Sequence, residues 1–108
     1  MSDTVKLIVF VPASHANRVR QAMGDAGAGQ LGTYSHCTFS TKGVGRFVPQ
    51  EGSDPHDGEI GTLTAREEEK VETVCPRTIL RHVITAIQEV HPYDEVPIDV
   101  YPLEETPE

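Results

Sequence analysis

The chain is organised around a glycine-rich stretch from Gly27 to Pro49, with the sequence Gly-Ala-Gly-Gln-Leu-Gly-Thr-Tyr-Ser-His-Cys-Thr-Phe-Ser-Thr-Lys-Gly-Val-Gly-Arg-Phe-Val-Pro. Its first three glycines, Gly27, Gly29 and Gly32, form a G-x-G-x-x-G pattern. That pattern binds dinucleotides only where it follows a strand and opens a helix. Here it closes a helical pattern and precedes a strand pattern, so it does not predict a Rossmann site.

Before this stretch, the residues from Val5 to Val11 form a near-continuous apolar run that is broken only by Lys6. Alternate residues of a strand point to opposite faces, and apolar side chains fall on both faces of this one. The pattern predicts an interior strand that is covered on both sides.

A first helix is predicted after Pro12, with Ser14 as its N-cap and Gly27 as its left-handed C-terminal cap. Its apolar side is formed by residues at helical spacing, namely Val19, Ala22, Met23 and Ala26. The chain then reaches a second strand, predicted over 34–41, in which Cys37 and Phe39 share one face.

The region 42–61 is rich in glycine and contains two prolines, which predicts a long protruding arm with short paired pieces. A third strand is predicted over 65–75. Its first part, Glu67 to Glu69, is acidic, which is typical of a solvated strand end or a protected edge.

Pro76 suits the first position of a second helix, which Pro92 ends. The apolar stripe of this helix is strong and consists of Ile79, Leu80, Val83, Ile84, Ile87 and Val90. A last strand is predicted from the alternation of Val96, Ile98 and Val100 with polar residues and proline.

The predicted order is strand, helix, strand, strand, helix, strand. With right-handed crossovers this order gives an α+β, ferredoxin-like sandwich, an antiparallel sheet with two helices on one face. We expect one domain over 1–108 with a flexible tail at 104–108. Because the first strand is apolar on both faces, we also expect another subunit to cover the open side of the sheet.

The net charge of −8 argues against nucleic acid and anionic membranes as partners. Two cysteines do not form a disulfide framework. The N-terminal apolar run is too short for a signal peptide or a membrane span, so we expect a soluble, cytoplasmic protein.

Five motifs, in order along nearly the whole chain, carry a family resemblance: Gly27-Ala28-Gly29 with Gly32, Tyr34, Cys37, Thr38 and Phe39; Gly43, Gly45, Phe47 and Pro49; Glu51-Gly52 with Pro55; His91-Pro92-Tyr93-Asp94-Glu95; and Asp99-Val100-Tyr101-Pro102-Leu103. In these motifs the chain resembles the small domain inserted in the YqfO branch of the Nif-three-like dinuclear-metal proteins. It is more distantly similar to the CutA and PII proteins.

The resemblance implies a CutA/PII-like, ferredoxin-like fold and a homo-oligomer, a trimer as in CutA and PII or else a dimer. It does not bring the dinuclear metal site to this chain, because that site belongs to the flanking halves of the larger proteins. For the inserted domain itself the family offers no settled activity.

Thiolate and imidazole groups suit Zn and Cu, so the candidates for a metal site are His36, Cys37 and His91, with Cys75 and His56 as further donors. No C-x-x-C or H-x-x-x-H spacing supports such a site. The alternative interpretation of Cys37 is a small core residue beside Phe39. Cys75 is interpreted as a buried thiol rather than one with a lowered pKa at a helix N-terminus.

A small-ligand site is predicted at His91, Tyr93, Asp94 and Glu95, together with Tyr34. Pro92 fixes the backbone there, and the helix C-terminus with the two acids favours a cation or a protonated histidine. The alternative is a structural turn in which Tyr93 buries its ring and the acids accept backbone hydrogen bonds.

The sequence therefore predicts a non-catalytic, oligomeric binding or regulatory module that takes a small ligand or a metal between subunits. The cofactor is unassigned, with a divalent metal as the candidate. The first alternative is a divalent-metal-binding protein of the copper-tolerance type. The second is an enzyme, such as a hydrolase relic, and it has the least support because no nucleophile with its base is recognisable.

Overall fold

A computed structural model describes residues 3–107. Its elements are β1 (Thr4–Pro12), α1 (Ala16–Asp25), β2 (Phe39–Phe47), β3 (Thr64–Pro76), α2 (Leu80–Val90) and β4 (Ile98–Pro102), with short 3-10 turns at Ala13–His15 and Arg77–Ile79. The four strands form one antiparallel sheet in the order β2-β3-β1-β4. This confirms the predicted α+β architecture and the interior position of β1.

The core lies between the sheet and the two helices. Val5, Leu7, Val9 and Val11 of β1 are all 0% exposed and belong to the same buried cluster as residues of both helices, among them Val19, Met23, Val83 and Ile87. Both predicted helical stripes therefore face this core. No helix within residues 3–107 is long and apolar enough to cross a bilayer.

The opposite face of the sheet carries Ile8, which is only 3% exposed, between two exposed aromatic residues. In the strand register, Ile8 pairs with Glu72, and Glu72 pairs with Phe39. On the other side of β1, Lys6 pairs with Tyr101. Phe39 is 68% exposed and Tyr101 is 54% exposed. This side of the sheet thus presents aromatic surface away from the helices.

The predicted start of α1 is wrong and its predicted end is right. A 3-10 turn precedes α1, and the side chain of Ser14 contacts His15 Nδ1 instead of capping the helix. At the other end, Gly27 has φ of +107°. The Gly27 N–H donates to the Gly24 carbonyl, and the Ala28 N–H donates to the Met23 carbonyl. These two bonds form a Schellman motif, which requires the left-handed residue that glycine supplies.

Pro76 does not occupy the first helical position, as the sequence pattern predicted. It is the last residue of β3, with an extended ψ of 143°, and a 3-10 turn separates it from α2. The fixed φ of proline suits this extended conformation as well as a helix start, so the residue type alone did not distinguish them.

The second strand lies later in the chain than predicted, at 39–47 instead of 34–41. Gly29 donates its N–H to the Val74 carbonyl, and Thr73 Oγ1 donates to the Cys37 carbonyl, so both ends of the segment from 29 to 37 contact β3. Between these two contacts the chain leaves the sheet, and His36 has a positive φ of 59°. A positive φ interrupts the regular extended backbone of a strand.

Cys37 is therefore not the core residue that the alternating pattern predicted. It is half-buried and lies outside the buried cluster, and its supposed neighbour Phe39 is exposed. Cys75 belongs to the core instead, and burial raises the pKa of its thiol, in agreement with the buried-thiol interpretation.

The arm begins later than predicted, because residues 42–47 belong to β2. We use "the arm" for residues 48–63, which connect β2 to β3. The β2–β3 hairpin extends beyond β1, since residues 64–67 of β3 pair with β2 alone. The hairpin with its ornamented connection is thus confirmed, with different bounds.

Candidate functional site

A cleft of about 810 Å³ lies where the arm folds over the end of the sheet. Its floor includes Phe10 of β1, Phe47 of β2 and Glu68 of β3, and its sides include Tyr93 and arm residues from Pro49 to Asp57. These groups come from four separate parts of the chain. The volume falls within the range of small-molecule sites, about 300–1,000 Å³.

Polar contacts hold the arm in place over the sheet. The backbone N–H of Asp54 donates to Asp94 Oδ2 at 2.8 Å, and that of Gly61 donates to the Pro49 carbonyl at 2.7 Å. At the base of the arm, Arg66 donates to both carboxylate oxygens of Asp57, which lowers the pKa of that carboxyl. These contacts fix the shape of the cleft within the chain itself.

His91 supports the cleft from the end of α2. Its Nε2 lies 2.8 Å from the Phe10 carbonyl, and the Tyr93 N–H donates to its Nδ1 at 3.1 Å. A carbonyl only accepts and an amide N–H only donates, so the ring is the neutral tautomer with its hydrogen on Nε2. His91 is 7% exposed, and burial lowers the pKa of its imidazole.

Tyr93 is the central aromatic residue of the cleft. Its hydroxyl donates to Glu68 Oε2 at 2.7 Å, and its ring centroid lies 4.9 Å from that of His91, 6.0 Å from Phe47 and 6.3 Å from His56. Burial and the hydrogen bond to the Glu68 carboxylate raise the pKa of the phenol. Tyr93 is thus a neutral donor fixed in one orientation.

The acidic part of β3 is not the solvated strand end that the sequence suggested. Glu68 and Glu69 are half-buried and have partners on opposite faces of the sheet: Tyr93 for Glu68, and Arg20 at 2.6 Å for Glu69. Glu68, Phe10 and Phe47 were not predicted as site residues. Strand alternation puts Glu68 on the same face as Lys70 and Glu72, the face that carries Ile8. This alternation is the one feature of the sequence that could have indicated where the Glu68 side chain lies.

Of the residues predicted to bind a ligand, the structure brings Tyr93, Asp94 and Glu95 to the cleft. His91 lies beneath Tyr93, with both ring nitrogens engaged by the protein. Tyr34 is 72% exposed in a turn where it pairs with Leu31, and it does not line this cleft. A ligand-binding role for any of them stays a prediction.

The three predicted metal ligands have separate surroundings. His36 Nε2 lies 3.0 Å from Asp25 Oδ1, which lowers the pKa of that carboxyl, while Cys37 Sγ contacts the Ser35 carbonyl and His91 contacts Phe10. Within residues 3–107, no group of three or more His, Cys, Asp or Glu side chains is placed to hold a metal ion. A metal shared between copies of the chain stays a prediction.

Most of the chain aligns with the sequences of known proteins. No family model matches it. It is 48% identical over 102 residues to the GTP cyclohydrolase 1 type 2 homolog of Bacillus subtilis and 37% identical over 102 residues to that of Mycobacterium tuberculosis. These alignments cover 94% of this chain and 27% of each relative, so the chain spans about a quarter of the length of the curated relatives it matches.

Solved structures also superimpose on most of the chain. A Bacillus cereus protein related to NIF3 superimposes with a TM-score of 0.82 and 52% identity, over 94% of this chain and 26% of that one. CutA from Xylella fastidiosa superimposes with a TM-score of 0.73 over 97% of this chain and 88% of that one, at 14% identity. The homologues of this chain are thus proteins of the NIF3 family, and the CutA likeness shows a shared fold alone.

Proposed function

We propose that this chain is the counterpart of the domain inserted in YqfO-type Nif-three-like proteins, and that it acts as a non-catalytic, self-associating module that binds a small molecule. The observation that carries the proposal is the cleft beneath the arm, which hydrogen bonds within the chain hold in place and which is lined by aromatic rings and fixed polar groups. The relatives named for GTP cyclohydrolase activity are far longer, and that activity is not part of the proposal.

The proposal predicts that small molecules bind in this cleft and that the arm contributes to their affinity. In an NMR-detected screen of a fragment library, binders should shift the backbone resonances of Phe47, Tyr93 and Asp54. Replacing Asp94 by alanine removes the acceptor of the Asp54 N–H and should weaken these binders about tenfold, since a hydrogen bond to a charged group contributes roughly 1.5–3 kcal/mol. The shifts and their concentration dependence measure both effects.

The matched control for Asp94→Ala is Glu89→Ala, which removes the same charge from an exposed position on α2 outside the lining of the cleft. It should leave the affinities unchanged. Fragments that bind only elsewhere on the surface, or an equal loss of affinity in both variants, would refute the proposed site.

Self-association is supported by the sheet face opposite the helices, where Phe39 and Tyr101 are exposed on either side of buried Ile8. The rings are separated by polar side chains, among them the Lys6–Glu72 ion pair, and exposed aromatic residues with polar surroundings are typical of surfaces that bind another protein chain. Covering this face with a second copy would bury both rings.

We expect Phe39→Asp to dissociate the assembly into monomers without unfolding them, because a side chain that is 68% exposed contributes little to the fold of one chain. Light scattering and circular dichroism measure the two properties. Leu63→Asp is the control, since Leu63 is 69% exposed next to Thr64, which pairs with Phe47 at the other end of β2. A wild-type mass near 11.8 kDa would contradict the proposal.

A further inference from the structure

Among the residues that the structure describes, one half-buried carboxylate at the cleft has no cationic partner. Glu68 accepts one hydrogen bond, from the neutral Tyr93 hydroxyl. Two other acids on β3 are paired, Glu69 with Arg20 and Glu72 with Lys6, and Asp57 is paired with Arg66. Within the described residues Glu68 has no such ion pair, although its charge is partly removed from water. A partly desolvated charge is stabilised by a charge of opposite sign.

Aromatic rings surround the same cleft. Phe10, Phe47 and Tyr93 all line it, and the rings of Phe47 and Tyr93 lie 6.0 Å apart at an interplanar angle of 56°. The face of an aromatic ring carries partial negative charge and attracts cations that lie within about 6 Å of its centroid. The aromatic floor and the Glu68 carboxylate therefore both favour a cationic ligand.

Most of the other charged side chains at the cleft are acidic. Glu51, Asp94 and Glu95 line it, while Arg46 is the one arginine or lysine among the described lining residues. Arg46 pairs with Ala65, so strand alternation places it on the face opposite that of Phe47. The whole chain carries a net charge of −8, which attracts cations at long range.

We infer that the ligand of this cleft is a small organic cation with an apolar or aromatic body, such as a substituted ammonium compound. The inference rests on the proposed function and specifies the ligand's chemical class. A bare metal ion fits less well, because no group of three ligating side chains is present in residues 3–107. An anion would meet the unpaired Glu68 carboxylate.

Three probes of similar size and different charge test this inference by NMR titration: benzylammonium, benzyl alcohol and benzenesulfonate. The ammonium compound should shift the resonances of Phe47, Tyr93 and Glu68 and bind about tenfold more tightly than the alcohol, as cation–π and carboxylate contacts add to burial of the ring. The sulfonate should not bind in the cleft. Tighter binding of the alcohol or the sulfonate would overturn the inference and leave the cleft as a binding site.

Variants identify the side chains that bind the ammonium compound. Glu68→Gln retains an acceptor for the Tyr93 hydroxyl and removes the charge, so it should weaken the ammonium compound about tenfold and leave benzyl alcohol unchanged. Phe47→Leu should weaken the ammonium compound as well. Glu89→Gln removes the same charge from an exposed position on α2 and should have no effect.

Equal affinity of the ammonium compound for wild type and Glu68→Gln would overturn the role of the carboxylate and with it the inference. Failure of all three probes to reach the cleft would overturn the inference too. The proposed function would in that case be decided by the wider fragment screen, whose compounds include neutral and anionic molecules.

Discussion

Replacing His91 by alanine is expected to lower the free energy of unfolding by about 2–6 kcal/mol, because it leaves two backbone groups without their partner and each such group costs roughly 1–3 kcal/mol. The Phe10 carbonyl loses the Nε2 donor and the Tyr93 N–H loses the Nδ1 acceptor. Urea denaturation measures the change. His82→Ala, at an exposed position of α2, is the control and should change stability by less than about 0.5 kcal/mol.

The same geometry makes stability depend on pH. Protonation of His91 would place a hydrogen on Nδ1, opposite the Tyr93 N–H, and burial already lowers the pKa below its ordinary value of 6.5. The unfolded chain therefore binds this proton more readily than the folded one. Stability should fall as the pH decreases below about 6.5 until the lowered folded-state pKa is passed, and His91→Ala should remove that dependence.

These results would also show whether His91 is a structural residue or part of a ligand site. A loss of stability with unchanged ligand affinity indicates the structural turn. A loss of ligand affinity with unchanged stability would contradict the hydrogen-bond geometry described above.

Replacing Gly29 by alanine is expected to destabilise the fold by at least about 3 kcal/mol, since backbone strain and overpacking each cost roughly 1–3 kcal/mol. Gly29 has φ of +81°, and a Cβ at this position would lie 2.6 Å from both the N and the O of Cys37. Those are backbone atoms held by the Gly29–Cys37 hydrogen bond, so they have little freedom to move. The free energy of unfolding, measured in urea, gives the cost.

Gly32 supplies a control within the same glycine pattern. Its φ is +58°, but a Cβ there would meet no atom within 4 Å, so Gly32→Ala should cost only the left-handed conformation, about 1–2 kcal/mol. The difference between the two variants measures the close approach at Gly29. Equal costs for both would show that conformation alone, and no steric contact, requires glycine at position 29.

The sequence by itself determined the elements that have a strong internal period. β1 is apolar on both faces and is the interior strand, and the apolar stripes of α1 and α2 face the core, because a residue's position in the period decides which side of the element it occupies. Gly27 was also predictable, since a helix that ends in a Schellman motif needs a residue with positive φ.

Only the tertiary structure decided where β2 begins and what forms the cleft. The alternation over 34–41 is a valid strand pattern. However, Gly29 donates to the Val74 carbonyl and Cys37 accepts from Thr73 Oγ1, so these residues occupy that part of the β3 edge and β2 starts at Phe39. No local signal records that competition, because its partners are distant in the chain.

The cleft, too, could not be predicted from the sequence alone. The motif at 91–95 was identified as a candidate from the sequence, yet the pairing of Tyr93 with Glu68 and the contact of His91 with Phe10 exist only because α2 ends beside β1 and β3. An acidic run such as Glu67 to Glu69 looks solvated until the register assigns each side chain to a face. Hydrogen-bond partners and burial, which decide the charge state and role of these groups, are properties of the folded chain.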